Sequence, residues 1–241
     1  MEESGRILGL FMKTLTTAFT PPLRLRNLFK QMEEVGVRSF PVVLITASFT
    51  GAVLALQSFS AFKRFHAESM MGSLVALSMT RELGPVITGL IVAGRVGSAM
   101  AAELGTMRVT EQIDALTTLA VNPVKYLVVP RFLATTIMMP LLVIMADGLG
   151  IFGGYLVGTS LLGVNPVVYM NSTWIYLDFE DVYGGLFKAL FFGMIISIIS
   201  CYKGFYTQGG AEGVGKATTA AVVVSMMLIL ISDYFLTALL L

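Results

Sequence analysis

The sequence has 241 residues, of which 56% are hydrophobic and only 13% are charged, and its formal net charge at pH 7 is +1. Soluble domains carry about 25% charged residues, so this deficit predicts an integral membrane protein and excludes a disordered or nucleic-acid-binding chain. A single cysteine and a single histidine exclude a disulfide scaffold and predict that the chain holds no metal.

The N-terminal segment, residues 1–34, is predicted to be amphipathic and to lie in the plane of the lipid headgroups. Apolar residues recur at helical spacing, namely Leu8, Phe11, Leu15 and Phe19. The stretch is too short to cross a membrane and contains Lys13. The pattern resumes beyond Pro21 and Pro22, so we expect two interfacial helices. A permease domain is predicted to follow over residues 35–241.

Five later stretches are apolar enough to cross the membrane, because roughly 20 apolar residues span the hydrocarbon core as a helix. They are residues 39–62, 83–102, 132 to about 162, 182–202 and 217–241. The predicted fold is therefore an all-α integral membrane protein with five transmembrane helices, preceded by the interfacial helices.

Four charged residues interrupt these spans, and a charge in the hydrocarbon core needs a partner or water because its desolvation is costly. Arg95 lies in the second span, Asp147 in the third and Asp233 in the fifth. Such groups serve either as structural pairs or in a proton or ion pathway, and both interpretations stay open. Lys188, near the start of the fourth span, is expected to extend its ammonium group to the outer interface.

Lysine and arginine are distributed unequally between the two sides of the predicted spans. Six precede the first span, three lie between spans two and three and two between spans four and five, which makes eleven against three on the opposite side. The six include Arg24. Because cytoplasmic loops carry the excess of positive charge, we expect a cytoplasmic N-terminus and an external C-terminus.

The loop between spans two and three is predicted to contain a short amphipathic helix. Thr110 is expected to cap it, with Glu111 and Asp114 near its positive end, and Asn122-Pro123 to stop it. Its apolar face is formed by Ile113, Leu116 and Ala120. Such a helix suits docking into a groove of a soluble partner, and lying on the membrane surface is the alternative.

Residues 210–217 nearly match the phosphate-binding pattern GxxxxGK[ST]. Ala217 stands where a hydroxyl should hold magnesium, and a membrane span precedes the motif instead of a strand. The segment is therefore interpreted as a glycine-rich turn. If the protein uses ATP, another chain hydrolyses it.

Gly150, Gly154 and Gly158 form two overlapping GxxxG steps in the third span. Small residues one turn apart let two helix backbones approach closely. The pattern fits packing within the chain at least as well as a seam between two copies.

Several motifs together resemble the MlaE/YrbE permease family, the membrane subunits of ABC transporters that work with MCE proteins. They are Arg-Glu-Leu-Gly-Pro-Val at 81–86, Ala-Gly-Arg-Val-Gly-Ser at 93–98, Ala-Glu-Leu-Gly-Thr-Met at 102–107 and Thr-Glu-Gln-Ile-Asp-Ala-Leu at 110–116. Further matches occur at 122–123, Pro130-Arg131-Phe132, 150–158, 216–219 and 233–239, so the resemblance runs from about Val35 onward.

The resemblance implies a homodimer in the bacterial inner membrane, assembled with a cytoplasmic ABC ATPase and a periplasmic MCE-domain protein. Phospholipid would move between the inner and outer membranes. The chain itself would not be an enzyme and would hold no cofactor, because ATP and magnesium would bind the ATPase.

The resemblance also assigns residues to two sites. The lipid pocket would be lined by Leu54, Ala55, Leu56, Phe59 and Leu77. Contact with the ATPase would involve Glu103, Arg108, Glu111, Asp114 and Leu116. Two positions differ from a family member, since Phe59 replaces a tyrosine and Asp147 an apolar residue.

Two other classes of function compete with this reading. A proton-coupled secondary transporter would use Asp147 and Asp233, work without an ATPase and often show internal repeats, of which we find no convincing example. A non-transporting membrane scaffold would bind no lipid and stimulate no ATPase.

Overall fold

The computed structural model describes residues 2–20 and 25–240, and these residues form helices and no strand. We label the helices α1 (Glu2–Ala18), α2 (Leu25–Phe65), α3 (Glu68–Val109), α4 (Gln112–Thr118), α5 (Val124–Ser160), α6 (Pro166–Tyr176), α7 (Phe179–Phe205) and α8 (Gly210–Leu240). Pro21, Pro22 and Arg24, which entered the sequence analysis, lie outside the described residues.

Five helices, namely α2, α3, α5, α7 and α8, are long and apolar enough to cross a membrane. The predicted all-α integral membrane class is therefore confirmed. Each helix begins before its predicted span and several end beyond it, because backbone hydrogen bonding continues past the charge-free core. In particular, the second predicted interfacial segment begins α2 and joins the first span through a π-helical turn, Glu33–Val37.

The described parts of residues 1–39, 89–139 and 190–239 form one compact unit. Its core contains a cluster of buried side chains from five helices, including Leu10 of α1, Leu104 of α3, Ile113 of α4, Val128 of α5 and Tyr202 of α7. The amphipathic face of α1 therefore packs on the same core as the short helix α4.

The described parts of residues 40–88, 140–189 and 240–241 form a second compact unit, in which glycines allow close helix packing. A Cβ on Gly51 of α2 would overlap the backbone of Gly150 on α5, and one on Gly153 would overlap the backbone of Ser48. A Cβ on Gly154 would lie 3.0 Å from the hydroxyl oxygen of Tyr169 on α6, and one on Gly158 would lie 3.0 Å from the ring carbon Cε2 of the same residue. The GxxxG steps are thus used for packing within the chain.

Helix α6, of eleven residues, is too short to cross a membrane and was not predicted. The Asn165 side chain caps it by accepting hydrogen bonds from the N–H groups of Val167 and Val168 at 2.9 and 3.4 Å, and Pro166 occupies the first helical position. Tyr169 is fully buried and anchors α6 in the second unit.

The expectation that Lys188 reaches the outer interface is wrong. Its Nζ donates hydrogen bonds to Glu82 Oε1 at 2.7 Å and to the Arg81 carbonyl at 2.9 Å. A carboxylate on α3 lies within reach, so the ammonium group is paired inside the protein and does not extend to water. Nearby, Arg81 pairs with the buried Asp181 at the start of α7.

Candidate functional site

Helix α4 has seven residues and lies between the spanning helices α3 and α5. The prediction that Thr110 caps it is wrong, because the Thr110 hydroxyl donates back to the Thr106 carbonyl at 2.8 Å and the residue ends α3. The chain turns at Glu111, whose φ of 59° is left-handed, and no side chain caps α4. Glu111 is therefore an exposed turn residue and not part of the first helical turn.

The end of α4 also differs from the prediction. Ala120 adopts a left-handed φ of 58°, its N–H bonds to the Thr117 carbonyl, and the N–H of Val121 bonds to the Leu116 carbonyl at 3.0 Å. This local closure ends the helix before Asn122-Pro123. Ala120 is consequently exposed and does not belong to the apolar face, while the Asn122 side chain accepts the N–H of Val124 at the start of α5.

The predicted apolar face of α4 is otherwise present. Ile113 is 2% exposed inside the core cluster of the first unit, and Leu116 packs partly buried against the same cluster. The opposite side presents Asp114, which accepts a hydrogen bond from Arg108 of α3. Helix α4 thus offers an exposed charged surface while a buried isoleucine fixes its position.

Glu103, the remaining predicted coupling residue, is half-exposed and pairs with Arg131, which was not predicted as a site residue. Arg131 of α5 donates to Glu103 Oε2 at 2.7 Å and to the Leu127 carbonyl at 2.6 Å, and it is 4% exposed. The Pro130-Arg131-Phe132 motif was the available signal. The ion pair joins the end of α3 to the start of α5, and α4 lies between these two helices in the chain.

The five predicted lipid-pocket residues lie on α2 and α3 in the second unit, with different exposure. Leu56 is exposed, Leu54, Phe59 and Leu77 are partly buried, and Ala55 is fully buried and offers no surface. Within the part of α2 from Val42 to Leu56, the exposed large apolar residues recur every three or four positions, and they are Val42, Ile45, Phe49, Val53 and Leu56. We call this set the α2 stripe. It includes only one of the five predicted residues.

The three predicted intramembrane charges have different surroundings. Arg95, in a π-helical turn of α3, donates to Ser39 Oγ at 2.8 and 3.0 Å and to the Glu34 carbonyl, which favours a structural role. Asp147 is 7% exposed, lies against Gly84, and its Oδ1 has no hydrogen-bond partner in the described residues. Asp233 is partly buried on α8.

Comparison with known proteins assigns this arrangement to a family. A family model described as "Permease MlaE" matches residues 28–239. A probable ABC transporter permease protein of Rickettsia typhi is 55% identical over 239 residues, covering 99% of this chain and 92% of that one. A probable ABC transporter permease protein of Synechocystis sp. is 48% identical, covering 88% and 81%.

A third relative carries a more specific name. The intermembrane phospholipid transport system permease protein MlaE of Haemophilus influenzae is 41% identical over 216 residues. The match covers 88% of this chain and 81% of that protein. The similarity therefore extends through both units and includes α4 and the α2 stripe.

Proposed function

Because this chain belongs to the MlaE permease family, as the match over residues 28–239 establishes, we propose that it moves phospholipid between the inner and outer membranes of a diderm bacterium. It is a membrane permease subunit of the ABC transporter class, which is not itself catalytic. The name of the Haemophilus influenzae relative supports phospholipid as the substrate. ATP and magnesium would bind a separate ATPase.

The single observation that carries the proposal is the construction of α4. A seven-residue helix between two spans exposes Glu111 and Asp114 while Ile113 fixes it to the core of the first unit. A force applied to such a helix is transmitted to α3 and α5, because their ends are joined through Arg131 and Glu103. We propose that α4 is the coupling helix that the ATPase contacts from the cytoplasm.

The α2 stripe supports the lipid side of the proposal. Acyl chains require a wide apolar surface, since each buried methylene contributes about 0.8 kcal/mol. Leu56, together with the partly buried Phe59, lies toward the end of α2 remote from the N-terminus. We propose that two copies of the chain face each other across this surface, and that an MCE-domain protein receives or delivers the lipid on the periplasmic side.

The experiment that tests the proposal is purification of the full chain from its own membranes, followed by reconstitution. We expect an ABC ATPase and an MCE-domain protein to co-purify, and phospholipid to be found by mass spectrometry of the purified complex. Lipid transfer between vesicles should require ATP. Transfer that persists without the ATPase and stops when the proton gradient is collapsed would contradict the proposal and favour a secondary transporter.

A further inference from the structure

An apolar groove of about 570 Å³ lies in the first unit. It is enclosed by α1, α7 and α8, and its lining includes Leu8, Phe11, Ile195, Ile198 and Leu228. Its volume falls within the range of about 300–1,000 Å³ that is typical of ligand pockets. We call it the α1 groove.

A polar pocket of about 580 Å³ adjoins the α1 groove, and Glu3 and Lys203 line both. Arg6 and Lys216 also line this pocket, so its charged residues are three cations and one carboxylate. Lys203 donates a hydrogen bond to Glu3, and this bond together with the ammonium charge lowers the pKa of Glu3. Lys203 is thus paired with Glu3 at the boundary with the groove, and Lys216 is paired with Glu212, which does not line the pocket, at 2.7 Å. Counting both carboxylates against the three cations, the net charge at the pocket is still positive.

We propose that the α1 groove and the polar pocket together bind one anionic phospholipid of the leaflet next to the N-terminus. An acyl chain lies along the groove, and the phosphate lies beside Lys203, Arg6 and Lys216. The order of polarity supports a lipid, because most of the apolar lining belongs to the spanning helices α7 and α8. The cations lie near the end of α7 (Lys203), near the start of α8 (Lys216) and on α1 (Arg6). Cations at this depth attract anionic headgroups.

The geometry also predicts that Glu3 competes with the lipid phosphate for Lys203. Both are anions, and Lys203 is only one-fifth exposed, so its ammonium group has few other directions in which to bond. Removal of the Glu3 charge should therefore strengthen binding, whereas removal of the Lys203 charge should weaken it. A nonspecific layer of surrounding lipid would show neither effect.

The headgroup part is tested by native mass spectrometry of the full chain with its co-purified subunits, titrated with phosphatidylglycerol or phosphatidylcholine of the same acyl chains. The parent should prefer phosphatidylglycerol. Lys203→Gln should bind it about tenfold more weakly, because a charge-assisted hydrogen bond is lost. Lys203→Arg should retain the preference, and Glu3→Gln should bind about two- to fivefold more tightly. Equal affinity of the parent for both lipids would overturn the proposal.

The acyl-chain part is tested with phosphatidylglycerol that carries a photoreactive diazirine in one chain. Crosslinks should map to α1, α7 and α8 in the parent and fall severalfold in Ile195→Trp, which fills the groove. The matched control is Leu230→Trp, an exposed position on α8 that lines neither cavity. Unchanged labelling in Ile195→Trp would overturn the proposal. So would crosslinking of a photoreactive residue at position 195 to a protein subunit, which would show that a partner helix occupies the groove. Neither readout depends on transport, so the result stands apart from that of the vesicle transfer experiment.

Discussion

Lys188 and Glu82 form an ion pair whose two members differ sharply in their access to solvent. The Lys188 side chain is 3% exposed, whereas the Glu82 side chain is 38% exposed, and Nζ lies 2.7 Å from Oε1. The lysine also donates to the Arg81 carbonyl, so α7 is tied to a π-helical turn of α3, Met79–Leu83. Loss of the partner should therefore destabilise the protein more when the buried Lys188 is the residue that remains than when Glu82 remains.

We predict that Glu82→Gln destabilises the protein more than Lys188→Met does. Removal of the Glu82 carboxylate takes a charge-assisted hydrogen bond from a buried ammonium group, which costs about 1.5–3 kcal/mol. Removal of the lysine leaves a carboxylate that is partly exposed and can be hydrated. The free energy of unfolding of both variants can be measured in detergent by monitoring the loss of the helical circular dichroism signal. A larger loss of unfolding free energy in Lys188→Met than in Glu82→Gln would contradict this prediction.

The crossing of α2 and α5 gives a second prediction, in which the substitution lies on α2 and its control on α5. Gly51→Ala should cost about 1–3 kcal/mol through overpacking, because its Cβ would overlap the backbone of Gly150 and neither helix can move aside locally. Gly148→Ala should stabilise α5 by up to about 1 kcal/mol, since nothing lies within 4 Å of its Cβ. Thermal unfolding in detergent measures the difference, and equal effects of the two substitutions would contradict the packing described here.

The third prediction concerns the proposed coupling helix. Glu111→Lys or Asp114→Lys should weaken association with the ATPase at least about tenfold, because reversal of a contact charge places like charges together across an interface. Helix α4 should stay folded, since Ile113 still fixes it. Association can be measured by titrating the ATPase against immobilised permease in nanodiscs.

A matched control for this experiment is Glu180→Lys, which reverses an exposed charge at the start of α7. It should leave ATPase affinity unchanged. Parental affinity in both α4 variants would refute the docking assignment.

The fourth prediction separates a lipid surface from an ion pathway. Leu56→Asp and Phe59→Asp should reduce bound phospholipid and ATP-driven lipid transfer, because an unpaired carboxylate is strongly disfavoured among acyl chains. Asp147→Asn should have little effect on transfer, because no proton passes through this residue in the proposed mechanism. Dimer and ATPase assembly should persist in all three variants. Loss of transfer in Asp147→Asn, with normal transfer in Phe59→Asp, would favour ion coupling.

The spans could be predicted from the sequence because the absence of charge is a local property, whereas the partners of the charged residues could not. Lys188 was placed at the interface because Glu82 lies 106 positions earlier in the chain. Similarly, Glu111 and Ala120 adopt left-handed conformations that neither residue type signals, so both ends of α4 were misplaced.

Regular helical periodicity also could not predict which residues lie on the buried and exposed faces of the helices. Four π-helical turns occur in the described residues, two of them in α3, at Met79–Leu83 and Ala93–Gly97. Each inserts one residue and rotates all later side chains by about 100° relative to a regular helix. On α2, the resemblance assigns both Ala55 and Leu56 to the pocket, and only three-dimensional packing shows that Ala55 is buried whereas Leu56 is exposed.

The packing of α1 has a consequence for the order in which the protein forms during synthesis. Leu10 leaves the ribosome long before Leu104 and Ile113, and Lys203, the ion-pair partner of Glu3, is made 200 residues after it. The amphipathic face of α1 therefore has no protein surface to cover while most of the spans are being inserted. The membrane interface is the one apolar phase available to it during that time. Helix α1 is translated before the five spanning helices and is nevertheless among the last to reach its native contacts. The core around Ile113 is complete only when α7 has been inserted.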